Sequence, residues 1–145
     1  TLGDAGVYST YYYTHERVVA RGYRAEVVPG VTSFCDAAAR LGRPLCEGSE
    51  PLLVVPVSTG DTKALLDVPA NKVFMKSGKA IGALRDTLAE RGELDDAAAV
   101  ANSGLADEQL CERFADLDAE RGYFSVVLYR KGARKTGEGE GERLS

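Results

Sequence analysis

The sequence has no tryptophan, one histidine, one methionine and three cysteines among its 145 residues. Because His15 stands alone, we expect neither a metal centre built from several imidazoles nor a Cys/His nucleophile pair. Cys35, Cys46 and Cys111 are odd in number and form no C-x-x-C motif, which argues against a disulfide framework and against a zinc knot. The sequence therefore predicts chemistry that uses no metal.

Long apolar runs and an excess of positive charge are also missing. No stretch reaches the roughly 18 apolar residues that a bilayer-spanning helix needs, and the first residues do not resemble a secretion signal. Lys and Arg number 18 against 22 Asp and Glu, a formal net charge of −4. That balance argues against binding to nucleic acid or anionic lipid through the overall field. We expect a cytoplasmic protein with no nucleic-acid or membrane partner.

The composition is that of an ordinary globular protein, with 44% hydrophobic and 28% charged residues. A chain of this length can bury roughly two-thirds of its unfolded surface, enough for one domain or two small ones. From Tyr8 to Val19 apolar and aromatic residues recur at the helix period, and Gly22 follows as a helix stop. We expect Tyr11, Tyr12 and His15 on this stripe to pack in a core rather than to stack on bases or catalyse.

Strand and helix patterns then alternate along the chain, as is typical of α/β proteins. The patterns predict strands over 23–28, 52–55, 73–75, 97–101, 109–114 and 123–129, and helices over 32–42, 62–66 and 80–91. The polar stretch from 43 to 50 is interpreted as a linker, with a domain boundary near Pro51. The Gly/Glu-rich end, 133–145, is expected to be disordered.

Four short loops follow predicted strand ends, and ligands of open α/β sheets bind outside the carboxyl ends of strands. These loops are the candidate site: Gly3–Gly6, Pro29–Ser33, Lys76–Gly78 and Asn102–Gly104. Each also has a structural interpretation. The glycines permit tight turns, and Ser33 would cap its helix with Asp36 as a capping-box partner.

The order of four phrases carries more information than any one loop. They are, in this order, LGDAGVYSTYYY, PGVTSFCDAAARLGRPLCEGSEPLLVV, VFMKSG and YFSVVLYR. Through these motifs the sequence from Leu2 to Arg130 resembles the tetrapyrrole methylases that use S-adenosylmethionine. Within that family these sequence motifs are most similar to those of the branch that methylates C-20 of precorrin-2 or of cobalt-factor II in cobalamin biosynthesis. Gly3-Asp4-Ala5 departs from the family's usual Gly-Asp-Pro, which removes a fixed φ from the loop.

This resemblance implies an architecture and an oligomeric state. Residues 1–50 would be the end of an N-terminal α/β domain, and residues 51–132 a C-terminal α/β domain with a mixed sheet of about five strands. The family's first glycine-rich strand end is expected upstream of Thr1, so we expect this chain to be inactive alone. A homodimer is also implied.

The resemblance further implies methyl transfer from S-adenosylmethionine, with S-adenosylhomocysteine as product, to a tetrapyrrole carbon. Asp4 is the candidate for proton removal as well as for cofactor binding. Arg17, Arg40, Arg43 and Lys76 are candidates for holding the carboxylates of the tetrapyrrole. The residues implied to bind the cofactor are Leu2, Gly3, Asp4, Val7, Thr32, Ser33, Met75, Ser103 and Gly104.

Other functions fit parts of the same pattern. One is a methylase of the same fold that acts on another tetrapyrrole position, or on a protein, as diphthine synthase does. Another is a non-catalytic folding or dimerisation fragment. A generic dinucleotide-binding domain is not favoured, because the chain has no G-x-G-x-x-G motif.

Overall fold

The computed structural model describes residues 3–59, 61–118, 120 and 124–132. Leu2 and the predicted tail 133–145 lie outside the described residues. None of the helices within these ranges has the length and apolar character needed to cross a bilayer. The elements in chain order are α1 (Tyr11–Ala20), α2 (Ser33–Arg40), β1 (Leu52–Pro56), α3 (Thr62–Asp67), β2 (Asn71–Met75), α4 (Ile81–Glu90), β3 (Ala97–Ala101), β4 (Gln109–Cys111) and β5 (Ser125–Tyr129).

The five strands form one mixed sheet in the order β1-β2-β5-β3-β4, which confirms the α/β class and the mixed sheet of about five strands. β1 and β2 are parallel, whereas β5 lies between β2 and β3 and is antiparallel to both. β1, β2 and β3 therefore all point the same way. Their carboxyl ends meet at one edge of the sheet, where loops from distant parts of the chain come together.

Both faces of the sheet are covered, because successive strand residues point to opposite sides. Phe74 packs on one face with Leu84 and Leu88 of α4, and all three side chains are buried. Val73 faces the other side, where Ala37 of α2 is fully buried against the sheet. The small alanines of α2 bring its backbone close to the sheet and so place its N-terminus near the carboxyl edge.

The strand predicted for 23–28 is wrong. Residues 23–32 have no regular secondary structure, and Tyr23 and Val28 are 68% and 78% exposed. Alternating apolar residues favour a strand only where a neighbouring strand can accept the hydrogen bonds. All the strands among the described residues belong to the sheet of the later part of the chain, and none of them pairs with this segment.

The tyrosine-rich helix forms as predicted, but the core packing expected for it is wrong. No residue of α1 is buried, and Tyr12 is 45% exposed. Tyr11 and His15 contact each other, with the Tyr11 hydroxyl oxygen 3.1 Å from Nδ1 of His15. The helix period correctly predicts which residues share a face, but it cannot show whether another element covers that face.

The strand predicted over 109–114 is shorter than expected, because β4 ends at Cys111. Phe114 instead begins a 3₁₀ turn over Phe114–Asp116 and is fully buried in the core. The apolar side chain of Phe114 therefore indicates burial in the core and not membership of a strand.

Candidate functional site

A cavity of about 830 Å³ lies at the carboxyl edge of the sheet. Its walls come from the first loop of the chain, the N-terminal part of α2, and the ends of β1, β2, β3 and the start of β5. The lining residues are Gly3, Asp4, Val7, Tyr8, Ser9, Thr10, Val31, Thr32, Ser33, Asp36, Ala37, Arg40, Ser58, Met75, Lys76, Gly78, Val100, Asn102, Ser103, Leu105, Phe124, Ser125 and Val126.

The carboxylate of Asp4 joins two of these walls. Its Oδ1 accepts a hydrogen bond from the amide N–H of Gly6, with 2.7 Å between nitrogen and oxygen. Its Oδ2 accepts one from the amide N–H of Gly30, with 2.8 Å between nitrogen and oxygen. These two hydrogen bonds, that from Gly30 above all, lower the pKa of Asp4 below its ordinary value. The side chain is therefore ionised and fixed in place at neutral pH.

The backbone turn at Gly30 passes very close to the first loop. A Cβ atom built at Gly30 would lie 2.5 Å from the carbonyl oxygen of Gly3 and 3.5 Å from Cα of Asp4. Gly3 itself has φ +84°, a conformation that other residues rarely adopt. Both glycines are thus required by this contact between loops.

The N-terminus of α2 is capped by Thr32 and not by Ser33. The Thr32 hydroxyl accepts the amide N–H of Cys35 at 3.4 Å. The alternative in which Ser33 caps with Asp36 is wrong, because Ser33 is already the first helical residue. Thr32 and Ser33 both line the cavity, so the helix cap and the cavity wall are the same stretch of chain.

Asp36 lies one turn into α2 and faces the loop that follows β3. Its Oδ2 accepts a hydrogen bond from the hydroxyl of Ser103 and another, at 3.2 Å, from Nε of Arg40. The Ser103 hydroxyl and then Arg40 lower the pKa of Asp36. Asp4 and Asp36 therefore present two ionised carboxylates to one cavity, with Arg40 and Lys76 as its cations.

Residues immediately after two parallel strands adopt left-handed backbone conformations. Lys76 follows β2 with φ 52°, and Asn102 follows β3 with φ 51°. The amide N–H of Asn102 donates to the carbonyl of Phe124 at 3.0 Å, which holds this turn against the strand beside it. Such conformations are uncommon for residues other than glycine and turn the chain sharply away from the sheet.

The structure brings together most of the residues that the sequence nominates. Gly104 follows the lining residue Ser103 but does not itself line the cavity, and Leu2 lies outside the described residues. Arg17 and Arg43 do not line the cavity; Arg43 instead pairs with Glu112 at 2.5 Å. The nominated residues that line it are Gly3, Asp4, Val7, Thr32, Ser33, Met75 and Ser103, with Arg40 and Lys76 from the basic set.

Several lining residues were missed by the sequence reasoning. Ser58 follows β1, so the strand-end rule applied to the other loops would also have found it. Tyr8 was assigned to a buried helix face, but it precedes α1 with φ 50° and lines the cavity. Phe124 and Ser125 lie at the start of β5, and no local signal marks them, because only the order of strands brings them to this edge.

Comparison with known proteins gives one consistent family. The model of the family described as Tetrapyrrole (Corrin/Porphyrin) Methylases matches residues 1–118. A precorrin-2 C(20)-methyltransferase of Sinorhizobium is 32% identical over 129 residues, which cover 87% of this chain and 52% of that protein. A cobalt-precorrin-2 C(20)-methyltransferase of Salmonella typhimurium is 30% identical over 135 residues, 90% of this chain and 56% of that protein.

The fold is also found in a solved structure. The uroporphyrin-III C-methyl transferase of Thermus thermophilus, complexed with S-adenyl homocysteine, superposes with a TM-score of 0.59 at 20% sequence identity. The likeness covers 88% of this chain and 63% of that chain. This chain spans about half the length of the two curated relatives named above, the C(20)-methyltransferases of Sinorhizobium and Salmonella typhimurium. By its sequence match over residues 1–118, it belongs to the tetrapyrrole (corrin/porphyrin) methylase family.

Proposed function

We propose that this chain carries part of the site of an S-adenosylmethionine-dependent C-methyltransferase that acts at C-20 of precorrin-2 or of cobalt-factor II in cobalamin biosynthesis. One observation carries the proposal. Residues from four separate parts of the chain, which the resemblance to the family predicts to be site residues, line a single cavity at the carboxyl edge of the sheet. The two relatives described above bear the names of C(20)-methyltransferases, which favours that position over others.

The cavity fits a donor of this kind. Its volume of about 830 Å³ lies within the roughly 300–1,000 Å³ that is usual for small-molecule sites. The turns at Gly3 and Gly30 lie backbone against backbone, and small hydroxyl side chains line the neighbouring wall. The ionised carboxylates of Asp4 and Asp36 make the cavity compatible with a ligand that carries positive charge.

The bound donor would supply a methyl group on a positively charged sulfur, which is already an activated leaving group. The chain's own residues then have to orient donor and acceptor and to exclude water. Such positioning can contribute roughly 7–11 kcal/mol of barrier reduction. We assign this work to the loop at Gly3 and Asp4, to Thr32 and Ser33, and to Met75, which is nearly buried beside the cavity.

For Asp4 we favour a positioning role over proton removal. Both of its carboxylate oxygens accept backbone N–H groups, and its pKa is lowered, which weakens it as a base. Its carboxylate instead holds the Gly3 and Gly30 turns together. The methyl acceptor's carboxylates are assigned to Lys76 in preference to Arg40, since Arg40 is already paired with Asp36 and Glu108.

We further propose that the chain alone is inactive, that the family's first strand end lies upstream, and that the whole protein is a cytoplasmic homodimer. Isothermal titration calorimetry with S-adenosylhomocysteine tests the site. We expect weak binding to this chain and clear binding to a version extended by the upstream residues of its gene. Equal affinity of the two proteins would contradict the incomplete site.

Activity is tested with the extended protein and three acceptors, precorrin-2, cobalt-factor II and uroporphyrinogen III. The expected result is methylation of precorrin-2 or of cobalt-factor II, and none of uroporphyrinogen III. Binding of S-adenosylhomocysteine without methylation of either C-20 acceptor would contradict the C-20 assignment while leaving the cofactor site intact.

A further inference from the structure

A connected set of polar side chains joins α2 to the loop between β3 and β4. This Asp36 network consists of Asp36, Arg40, Ser103 and Glu108, together with the amide of Gly104. Ser103 donates its hydroxyl to Oδ2 of Asp36, which is 67 positions away in sequence. The network therefore ties together two walls of the cavity that come from distant parts of the chain.

The second arm of the network runs through Arg40. Its Nη1 lies 3.1 Å from Oε1 and 2.9 Å from Oε2 of Glu108. Oε2 of Glu108 in turn accepts the amide N–H of Gly104 at 2.6 Å. Gly104 has φ +76°, and a Cβ added there would lie 3.5 Å from Nη2 of Arg40. Ser103 is thus bonded directly to Asp36 of α2, whereas Gly104 is connected to α2 through Glu108 and Arg40.

The base of the loop is held independently of α2. The amide of Asn102 donates to the carbonyl of Phe124 at 3.0 Å, and the Asn102 side chain donates to Asp107 at 2.7 Å. The amide of Leu105 donates back to the carbonyl of Asn102 at 2.9 Å. The sheet fixes where the loop begins, whereas the Asp36 network reaches its tip at Ser103 and Gly104.

We propose that Asp36 is a positioning residue that sets the Ser103–Gly104 tip against the cavity, and that ligand affinity depends on this link between α2 and the loop. The proposal rests on the proposed function for its ligand but not for its geometry. The ion pair alone is a weak tie, because the Arg40 and Asp36 side chains are 37% and 40% exposed. The bond from the Ser103 hydroxyl to an ionised carboxylate is the stronger one.

The first readout needs no ligand. Hydrogen exchange at the amide of Gly104 is measured in the full chain and in Asp36→Ala, Ser103→Ala and the double variant, with the amide of Leu105, which bonds to Asn102 in the base of the loop, as the internal reference. We expect each single variant to speed exchange at Gly104 by about threefold to tenfold, as loss of one partly exposed hydrogen bond implies. The double variant should show no larger effect than Asp36→Ala alone, because Asp36→Ala already removes the contact with Ser103.

Two further variants separate positioning from general stability. Asp36→Asn keeps an acceptor for the Ser103 hydroxyl and should restore most of the protection lost in Asp36→Ala. Glu112→Gln breaks the pair with Arg43, which joins the segment after α2 to the residue after β4 and does not line the cavity. That control should leave exchange at Gly104 and Leu105 unchanged.

The second readout is the dissociation constant of S-adenosylhomocysteine for the same variants made in the extended protein, because we expect only weak binding to this chain alone. We expect Asp36→Ala to raise it by about threefold to tenfold, and Glu112→Gln to leave it unchanged. Unchanged exchange in Asp36→Ala would overturn the positioning role whatever the ligand does. Faster exchange with an unchanged dissociation constant would show that the tip is held but does not serve the site. Absence of binding by every variant, including the parent, would count against the proposed function, and exchange would still decide the geometry.

Discussion

Gly30 donates its amide N–H to Oδ2 of Asp4 at 2.8 Å, at a point where the backbones of two loops leave no room for a side chain between them. The other carboxylate oxygen of Asp4 accepts the amide of Gly6 within its own loop. One acidic side chain thereby fixes the shape of a loop and its distance from the N-terminal end of α2. This hydrogen bond connects the loop of Asp4 to the turn at Gly30, and substitution of either residue tests it.

Replacement of Gly30 by alanine should push the two loops apart. The added Cβ would lie 2.5 Å from the carbonyl oxygen of Gly3, so the backbone must shift. We expect a loss of roughly 1–3 kcal/mol in the free energy of unfolding, as for other overpacked sites, and weaker binding of S-adenosylhomocysteine. Thermal unfolding and calorimetry provide the two measurements.

Gly82→Ala is the control for this experiment. Gly82 lies in α4, and a Cβ there would meet nothing within 4 Å. Alanine at this helical position should stabilise by roughly 0.5–1 kcal/mol. Equal effects of the two substitutions would contradict the close approach at Gly30.

Replacement of Asp4 by asparagine distinguishes positioning from proton removal. The amide can accept only one of the two backbone N–H groups, so the loops should loosen and the KM for the methyl donor should rise. If Asp4 were the base, kcat would fall roughly 10²–10⁴-fold instead. Steady-state kinetics of the extended protein separate the two outcomes, since positioning predicts a rise in KM larger than the fall in kcat.

Acid should weaken the fold through Glu93. The Arg91 guanidinium, followed by the Lys131 ammonium and the Tyr129 hydroxyl, lowers the pKa of Glu93 from an ordinary 4.5 to about 2. A carboxyl whose pKa is lower in the folded state stabilises the fold above its unfolded pKa, and this contribution is lost as the pH falls toward the folded one. The shift corresponds to roughly 3 kcal/mol, lost between about pH 4.5 and pH 2.

Glu93→Gln should lower stability at neutral pH and flatten its dependence on pH across that window. Glu90→Gln is the matched control, because Glu90 is 69% exposed and its Lys63 partner lies 3.7 Å away. Chemical denaturation at a series of pH values measures both variants. A parallel pH profile for Glu93→Gln and the parent protein would rule out this source of acid sensitivity.

The packing of α2 on the sheet can be tested on the helix itself. Ala37 is fully buried against the sheet, whereas Ala39 of the same helix is exposed. Ala37→Leu should destabilise by roughly 1–3 kcal/mol, because there is no space for the larger side chain. Ala39→Leu should change the free energy of unfolding by less than about 0.5 kcal/mol. Equal effects at the two positions would contradict the burial of this face.

Much of the secondary structure could be predicted because its signals are local. Continuous apolar residues over 52–55 and 97–101 predicted the strands observed at Leu52–Pro56 and Ala97–Ala101, and the spacing of Ile81, Leu84 and Leu88 predicted the buried face of α4. The failures share one cause. Residues 23–28 and the face of α1 carry patterns that need a partner element, but among the described residues no strand pairs with 23–28 and no residue of α1 is buried.

The candidate site was likewise predicted only where its signals are local in sequence. The strand-end rule and the family's wording nominated Gly3, Asp4, Thr32, Met75 and Ser103, and the cavity contains all of them. Asp36 was considered only as a capping partner, because its bond to Ser103 joins positions 67 apart, and no local pattern reports such a distance.

The order of residues along this chain establishes an α/β protein of the tetrapyrrole methylase family, because helix and strand periods and short loop phrases are properties of neighbours in sequence. Which loops face one another follows from the order β1-β2-β5-β3-β4 and from the seating of α2 on the sheet. Those contacts join segments far apart in the chain. Their free energy comes from burial and hydrogen bonding that exist only once the segments have met.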